Sequence, residues 1–342
     1  MTGAAIVVAL VTLVFAGVGP HLAHRLPPAV AIRVLVPASL AIAACGIWVL
    51  AAVAFTWAAQ LPAVSRYGHW SAEQVRVATP FPTTLAIGCA LLTLLAVGRT
   101  VTVGTLRLRS LLAARGSCRR LGSPGSLVVI DHDQPDAFAT PGPSGRIVIT
   151  TGLLRALTPD QRRALLAHEA SHIAHQHAWW LFGSAVTSAA NPLLAPMSRA
   201  VAHVVERWAD EDAAREVTDR KLVALTIARA ALLTRTTDPG PVPERAAGAG
   251  ATAGDIPKRV QALLAPPPRP RVGPLAMLAL LLAAGLVATG TMQTRSDTLL
   301  DNASTTALPA QFTGHPATGG ALGRRCDHPP APHRARAGHP NP

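Results

Sequence analysis

The chain has 342 residues, of which 49% are hydrophobic and only 14% charged, with a formal net charge of +13. Soluble proteins of this length carry more charge, so a chain with mean hydropathy +0.31 reads first as an integral membrane protein. Lys221 and Lys258 are the only lysines, and no basic helix with interleaved aromatics supports a nucleic-acid partner. Arginines flanking membrane spans account for the basic excess. The four cysteines, Cys45, Cys89, Cys118 and Cys326, form no CxxC pair, which excludes a disulfide framework and a cysteine-ligated metal.

Four apolar segments, at about 4–18, 34–58, 83–97 and 275–292, are candidates to cross a lipid bilayer, which takes about 20 helical residues. The first lacks a basic leader and a small-residue cleavage site and reads as a retained anchor. Arg99, Arg107, Arg109, Arg115, Arg119 and Arg120 crowd the exit of the third segment, and Lys258, Arg259, Arg269 and Arg271 precede the fourth. Basic residues favour the cytoplasmic side, so the region between these segments is expected inside. The N-terminus, the 59–82 loop and the tail are then expected outside. The loop's Tyr67–Trp70 stretch reads as an interfacial aromatic anchor.

The expected domains are therefore 1–110 (three spans and loops), 111–265 (a cytoplasmic domain), 266–292 (a Pro-rich linker and the fourth span) and 293–342 (a disordered tail). Within the middle region, Ser126–Ile130 and Ile147–Thr150 are short β-branched runs around a turn-rich segment, as expected of two or three short strands. A helix starts at Thr158, with Pro159 in its first position and Gln161 completing a capping box. Residues 198–233 read as two further helices. The apolar stretch 178–205, broken by Asn191-Pro192 and Pro196, reads as a buried or membrane-dipping helical hairpin. The fold class is a multi-span α-helical membrane protein with a small α+β domain.

That domain carries the sequence His168-Glu169-Ala170-Ser171-His172. Histidines at i and i+4 project from one helix face, so both imidazoles can reach one metal ion, while Glu169 points to the side, where it can take a proton from an attacking water. Zinc needs a third protein ligand. The best candidate is Glu206, in a downstream helix, with Asp210 one turn later placed to accept the spare N–H of a metal-binding histidine. His175 and His177 extend the cluster to four histidines in ten residues. They fall on different faces and read as helix-end histidines favoured by the dipole, with a transient second metal site as the other reading. Cys326, His328 and His333 in the tail read as compositional noise.

The run AFATPG, then GRIVITTGLLRALTPDQRRALLAHEASHIAHQH, then ERWAD resembles the gluzincin proteases of the HtpX and Ste membrane type, over about residues 126–235. The four-span layout is similar to the BlaR/MecR antirepressor-type transducers. The resemblance implies a zincin-like fold with one zinc ion per chain, His168, His172 and Glu206 as ligands and Glu169 as general base. It also implies that strand 146–150 binds substrate along an exposed edge. Such enzymes often stabilise the oxyanion with Tyr or His. The only tyrosine, Tyr67, lies on the outer loop, which leaves His203, one turn before Glu206, as the candidate. The transducers carry a large sensor after the last span, whereas this tail has only about fifty residues, so a penicillin-sensing role has no support. The expected function is zinc-dependent endoproteolysis of membrane-proximal or cytoplasmic protein or peptide substrates, such as a misfolded membrane protein or a repressor. The alternatives are a signal transducer whose protease cleaves a repressor, and a non-catalytic zinc-binding scaffold.

Overall fold

The computed structural model describes residues 1–119, 127–142, 145–235, 255–266 and 272–305. Among the described residues, four helices are long and apolar enough to cross a membrane: α1 (Thr2–Arg25), α2 (Pro28–Ala58), α5 (Thr83–Arg119) and α12 (Val272–Thr305). The first three contain no acidic residue. Their few hydroxyls fold back on their own helix: Thr12 donates to the Val8 carbonyl at 2.9 Å and Ser39 to that of Leu35 at 2.6 Å. Such back-bonds satisfy a hydroxyl within its own helix, which suits an apolar surrounding.

All four of these helices outrun the hydropathy windows. A window ends at the first charges, whereas a helix runs on until a real stop signal. With 37 residues, α5 is about 55 Å long, well beyond a hydrocarbon core of about 30 Å. It carries Arg107, Arg109 and Arg115 in its final turns. Likewise α1 continues to Arg25, and α12 reaches Thr305. Residues 293–305 are therefore helical, against the expected disordered tail, while 306–342 lie outside the described residues. The 59–82 loop forms α3 (Pro62–Gly68) and α4 (Ala72–Ala78). Its Trp70 donates to the Ala59 carbonyl at 2.8 Å, while Tyr67 is exposed.

The sheet has three strands, β1 (Leu127–Ile130), β2 (Ala137–Ala139) and β3 (Ile147–Thr150), in the order β1-β3-β2. β3 pairs parallel with β1 and antiparallel with β2. Both its edges are filled, which overturns the expectation that strand 146–150 offers substrate an edge. The open edge beside α7 belongs to β2. Thr150 N–H donates to the Asp136 carbonyl and Thr140 N–H to that of Arg146. Antiparallel alternation then turns the backbone groups of Ala137 and Ala139 to the outer side. Among the described residues, no strand pairs with that side.

Helices α6 (Thr151–Ala156), α7 (Pro159–Ala174), α8 (His177–Ala190), α9 (Ala195–Val217), α10 (Arg220–Arg235) and α11 (Ile256–Leu264) complete the fold. The 178–205 stretch is a helical hairpin of α8 and α9, joined through a single 3-10 turn at Pro192–Leu194. It packs into the long-helix bundle, where Leu194, Met197, Val201 and Val204 join Phe15 and Leu35 in one buried cluster. Close approach is bought with small residues. A Cβ on Gly19 would lie 3.1 Å from the Met197 sulfur, and one on Gly183 would lie 3.3 Å from Val36. Between helices in lipid, such packing replaces the hydrophobic drive that water would provide. The hairpin tip lies halfway along α2: a Cβ on Gly46 would sit 3.9 Å from the Asn191 amide nitrogen. Arg99 of α5 donates to the Ala189 carbonyl in the last turn of α8 at 3.3 Å, a cation placed where the helix dipole favours one. A second cluster, with Ala164, Ala213, Val223 and Leu263, ties α7, α9, α10 and α11 together.

Candidate metal centre

Helix α7 starts where its sequence says it should. Thr158 accepts from the Gln161 N–H at 3.3 Å, and Gln161 accepts from the Thr158 N–H at 3.2 Å, closing the capping box. Three turns on, His168 and His172 share one face, and their Nε2 atoms lie 3.2 Å apart. α9 packs along α7 and delivers Glu206, whose Oε2 is 3.6 Å from His168 Nε2 and whose Oε1 is 3.7 Å from His172 Nε2. His168, His172 and Glu206 thus form a group that could hold a metal ion. A tetrahedral ion with bonds of about 2.0–2.1 Å has donor–donor edges of about 3.3 Å. The observed separations fit that figure after small side-chain adjustments.

The surrounding groups hold this triad in place. His168 Nδ1 lies 3.0 Å from Asp210 Oδ1, the partner expected from the ExxxD spacing. Arg259 of α11, only 4% exposed, grips Asp210 through Nε and Nη2 at 2.7 and 2.6 Å. Its Nη1 is 3.0 Å from Glu206 Oε2. In the sequence Arg259 counted only as a basic residue ahead of the fourth span. Its partner lies 49 positions away with no motif between them, so only the folded chain reveals the clamp.

Burial works against charge on His168, but the Asp210 and Glu206 carboxylates outweigh it and raise its pKa to about 10. Burial would also raise Glu206. Arg259, together with the two histidines, overrides that and holds it well below the ordinary carboxylate range. Glu169 moves the other way. Burial, helped by the charge of Glu206, raises its pKa, although His168 and a backbone hydrogen bond from Ala139 pull it down. A buried glutamate with an upward shift, next to a cationic centre, suits a general base.

The remaining histidines depart from the sequence reading. α7 ends at Ala174, and Gln176 at φ 53° reverses the chain, so that α8 begins at His177. His175 and His177 are therefore not two faces of one helix end. His175 Nε2 lies 2.8 Å from Asp212 Oδ2 and its ring stacks on Trp208. Ser171 Oγ donates to the same carboxylate oxygen at 2.6 Å. His177 folds back against His172, with the two Nδ1 atoms 3.0 Å apart. His203 packs edge-on to His24 and has its Nδ1 3.7 Å from Asp255. These contacts lie towards α1 and α11 and give the expected oxyanion role no support.

Residues 112–267 match peptidase family M48. Over shorter stretches the chain is similar to proteins named as homologues of the protease HtpX. It is 48% identical over 59 residues to one from Acidiphilium cryptum, covering 16% of this chain and 19% of that protein. It is 43% identical over 61 residues to one from Aeropyrum pernix, covering 17% and 19%. It is 31% identical over 96 residues to one from a Janthinobacterium species, covering 28% and 32%. The chain thus matches about a fifth to a third of the length of these curated relatives. No solved structure matches it. The stretch 112–267, with the His-His-Glu group on its α7 and α9, is thus similar to the metallopeptidases of family M48, in a chain whose long apolar helices are candidates to cross a membrane.

Proposed function

We propose that this chain is a zinc-dependent endopeptidase that cleaves peptide bonds of membrane-proximal or cytoplasmic polypeptides, with its protease domain on the cytoplasmic side. The observation that carries the reading is the convergence of three metal-binding side chains, a buried glutamate and an open strand edge at one place. His168, His172 and Glu206 would hold the ion. All three are borderline-to-hard nitrogen and oxygen donors of the kind zinc accepts in hydrolytic sites. Once bound, zinc supplies Lewis-acid chemistry, making water more acidic and polarising a carbonyl.

The chain's own residues do the rest. An extended substrate adds to the outer edge of β2, pairing with the outward backbone groups of Ala137 and the carbonyl of Ala139, while the Ala139 N–H stays bonded to Glu169. This lays its scissile bond across α7, next to Glu169. Glu169 accepts the proton of the attacking water at its carboxylate and then passes it to the departing amine. Asp210 holds His168 in the tautomer that leaves Nε2 free to ligate, and Arg259 keeps Glu206 ionised. Substrate is drawn from near the bilayer because the centre sits against the ends of α1 and α2: Arg207 Nη1 reaches the His24 carbonyl at 3.4 Å, and Arg33 lies over Trp208 at 5.0 Å. A misfolded membrane protein and a membrane-associated repressor both meet that description.

The test is metal content and self-cleavage of the detergent-purified protein, wild type against Glu169→Gln. Both should carry one zinc ion, and the variant should lose about 10²–10⁴-fold in cleavage rate, the usual share of a general base. Stripping the ion with a chelator should abolish cleavage in the wild type, and zinc should restore it. Equal cleavage by the variant would sink the assignment of Glu169.

A further inference from the structure

His177 is 1% exposed and meets His172 almost at right angles, with ring centroids 4.8 Å apart and an interplanar angle of 86°. Trp208 closes the other side at 5.0 Å. The chain reaches this arrangement through Gln176, a non-glycine residue in the left-handed region at φ 53°, where a Cβ is unfavourable. The Gln176 side chain braces the reversal by donating to the Ile173 carbonyl at 2.7 Å. Without that reversal α7 would run on, and His177 would point away from His172.

The proton positions follow from the geometry. His172 turns Nε2 towards His168 and Glu206, and a nitrogen that ligates a metal carries no proton. The one N–H of neutral His172 is therefore on Nδ1. That atom lies 3.0 Å from His177 Nδ1, so His177 Nδ1 must accept. Neutral His177 then carries its own proton on Nε2, which is buried without a hydrogen-bond partner.

We infer that His177 is a positioning residue of the metal centre. It accepts the Nδ1–H of His172 and so fixes the tautomer and ring plane of that ligand, as Asp210 does for His168. The inference rests on the metal-binding reading above. It makes the two ligating histidines unequal: one is backed by a carboxylate clamped to an arginine, the other by a neutral imidazole in an apolar wall. The centre gains a second oriented ligand without burying another charge.

The experiment uses full-length protein in detergent. In zinc-loaded wild type with ¹⁵N-labelled histidine, two-bond ¹⁵N–¹H correlations should find His172 protonated on Nδ1 and His177 on Nε2. A His177 protonated on Nδ1, or on both nitrogens, overturns the inference without any mutation. Zinc affinity is then measured by chelator competition. His177→Leu should weaken it about 10–100-fold, the usual cost of losing such a partner. His177→Asn, whose amide oxygen can take the place of Nδ1, should recover most of that loss. The Co²⁺-loaded visible spectrum should shift in the leucine variant and return in the asparagine variant. Equal affinities and spectra in all three proteins overturn the inference, as does equal weakening in both variants. If His177→Leu does not fold, the wild-type tautomers and the asparagine variant decide. Failure of the wild type to bind zinc at all would overturn the metal reading, and this inference with it.

Discussion

Asp210 accepts a bidentate Arg259, faces His168 and is almost fully buried, so its environment rather than its residue type decides what it contributes. Removing one partner of a buried ion pair costs about 3–5 kcal/mol, because the other charge is left desolvated and unmatched. Arg259→Met would leave two such carboxylates, Asp210 and Glu206. Thermal unfolding of the metal-free protein in detergent should show a loss of about that size, and an unchanged midpoint would count against the clamp. The pH dependence has a definite sign. Burial pushes the Asp210 pKa up, but Arg259 and His168 pull it below its ordinary value. Its stabilisation is therefore complete above about pH 4, the unfolded value, and fades as pH falls further towards the folded one. At this scale the sequence was legible wherever a role follows from spacing along one helix. His168 with His172, and Glu206 with Asp210, are such pairs. Arg259 and His177 were not legible, because one acts across 49 residues and the other across a helix break that only a left-handed glutamine creates.

Helix identity was readable from apolar runs and from the Thr158 cap, but helix ends were not. A charge ends a hydropathy window without ending hydrogen bonding, which is why α5 and α12 run past their expected limits. β2 was only the optional third strand of the sequence reading, because Ala-Phe-Ala lies among turn formers and is held by its neighbour β3 rather than by strand propensity. The α8–α9 hairpin was legible as a break at Asn191-Pro192, while its depth was not. Its contacts with the middle of α2 predict that the tip lies within the bilayer. Leu193, which is 53% exposed, offers a test in a cysteine-free background. A Leu193→Cys variant in intact membranes should resist a membrane-impermeant maleimide from either side and react with a lipophilic one. Labelling by the impermeant reagent as efficient as at Tyr67→Cys would place the tip in water.

Across the whole molecule, Arg33 and Arg115 lie at the end of the helix bundle that carries the candidate metal centre. Arg33 lies over Trp208, and Arg115 lies over Trp179 at 5.2 Å. Since arginines near span ends favour the cytoplasm, the protease domain is expected there and the 59–82 loop on the opposite side. Alkaline phosphatase, which is active only outside the cytoplasm, should be active when fused at Ser71 and inactive when fused at Asp219. The reverse pattern would invert the topology. The sequence carried this asymmetry in its arginine positions, but it could not show that Arg33 lies over Trp208, the ring that packs on His175 and His177.

Helix α9 joins the candidate metal centre to the long-helix bundle. Its first half, through Met197, Val201 and Val204, is wedged among α1 and α2, while its second half carries Glu206 and Asp210, with no break between them. The long apolar helices are therefore less a tether than a foundation, and the domain packed on them cannot be lifted off as a cargo. Cutting it free would bare an apolar flank and unseat the proposed ligand Glu206 in the same act.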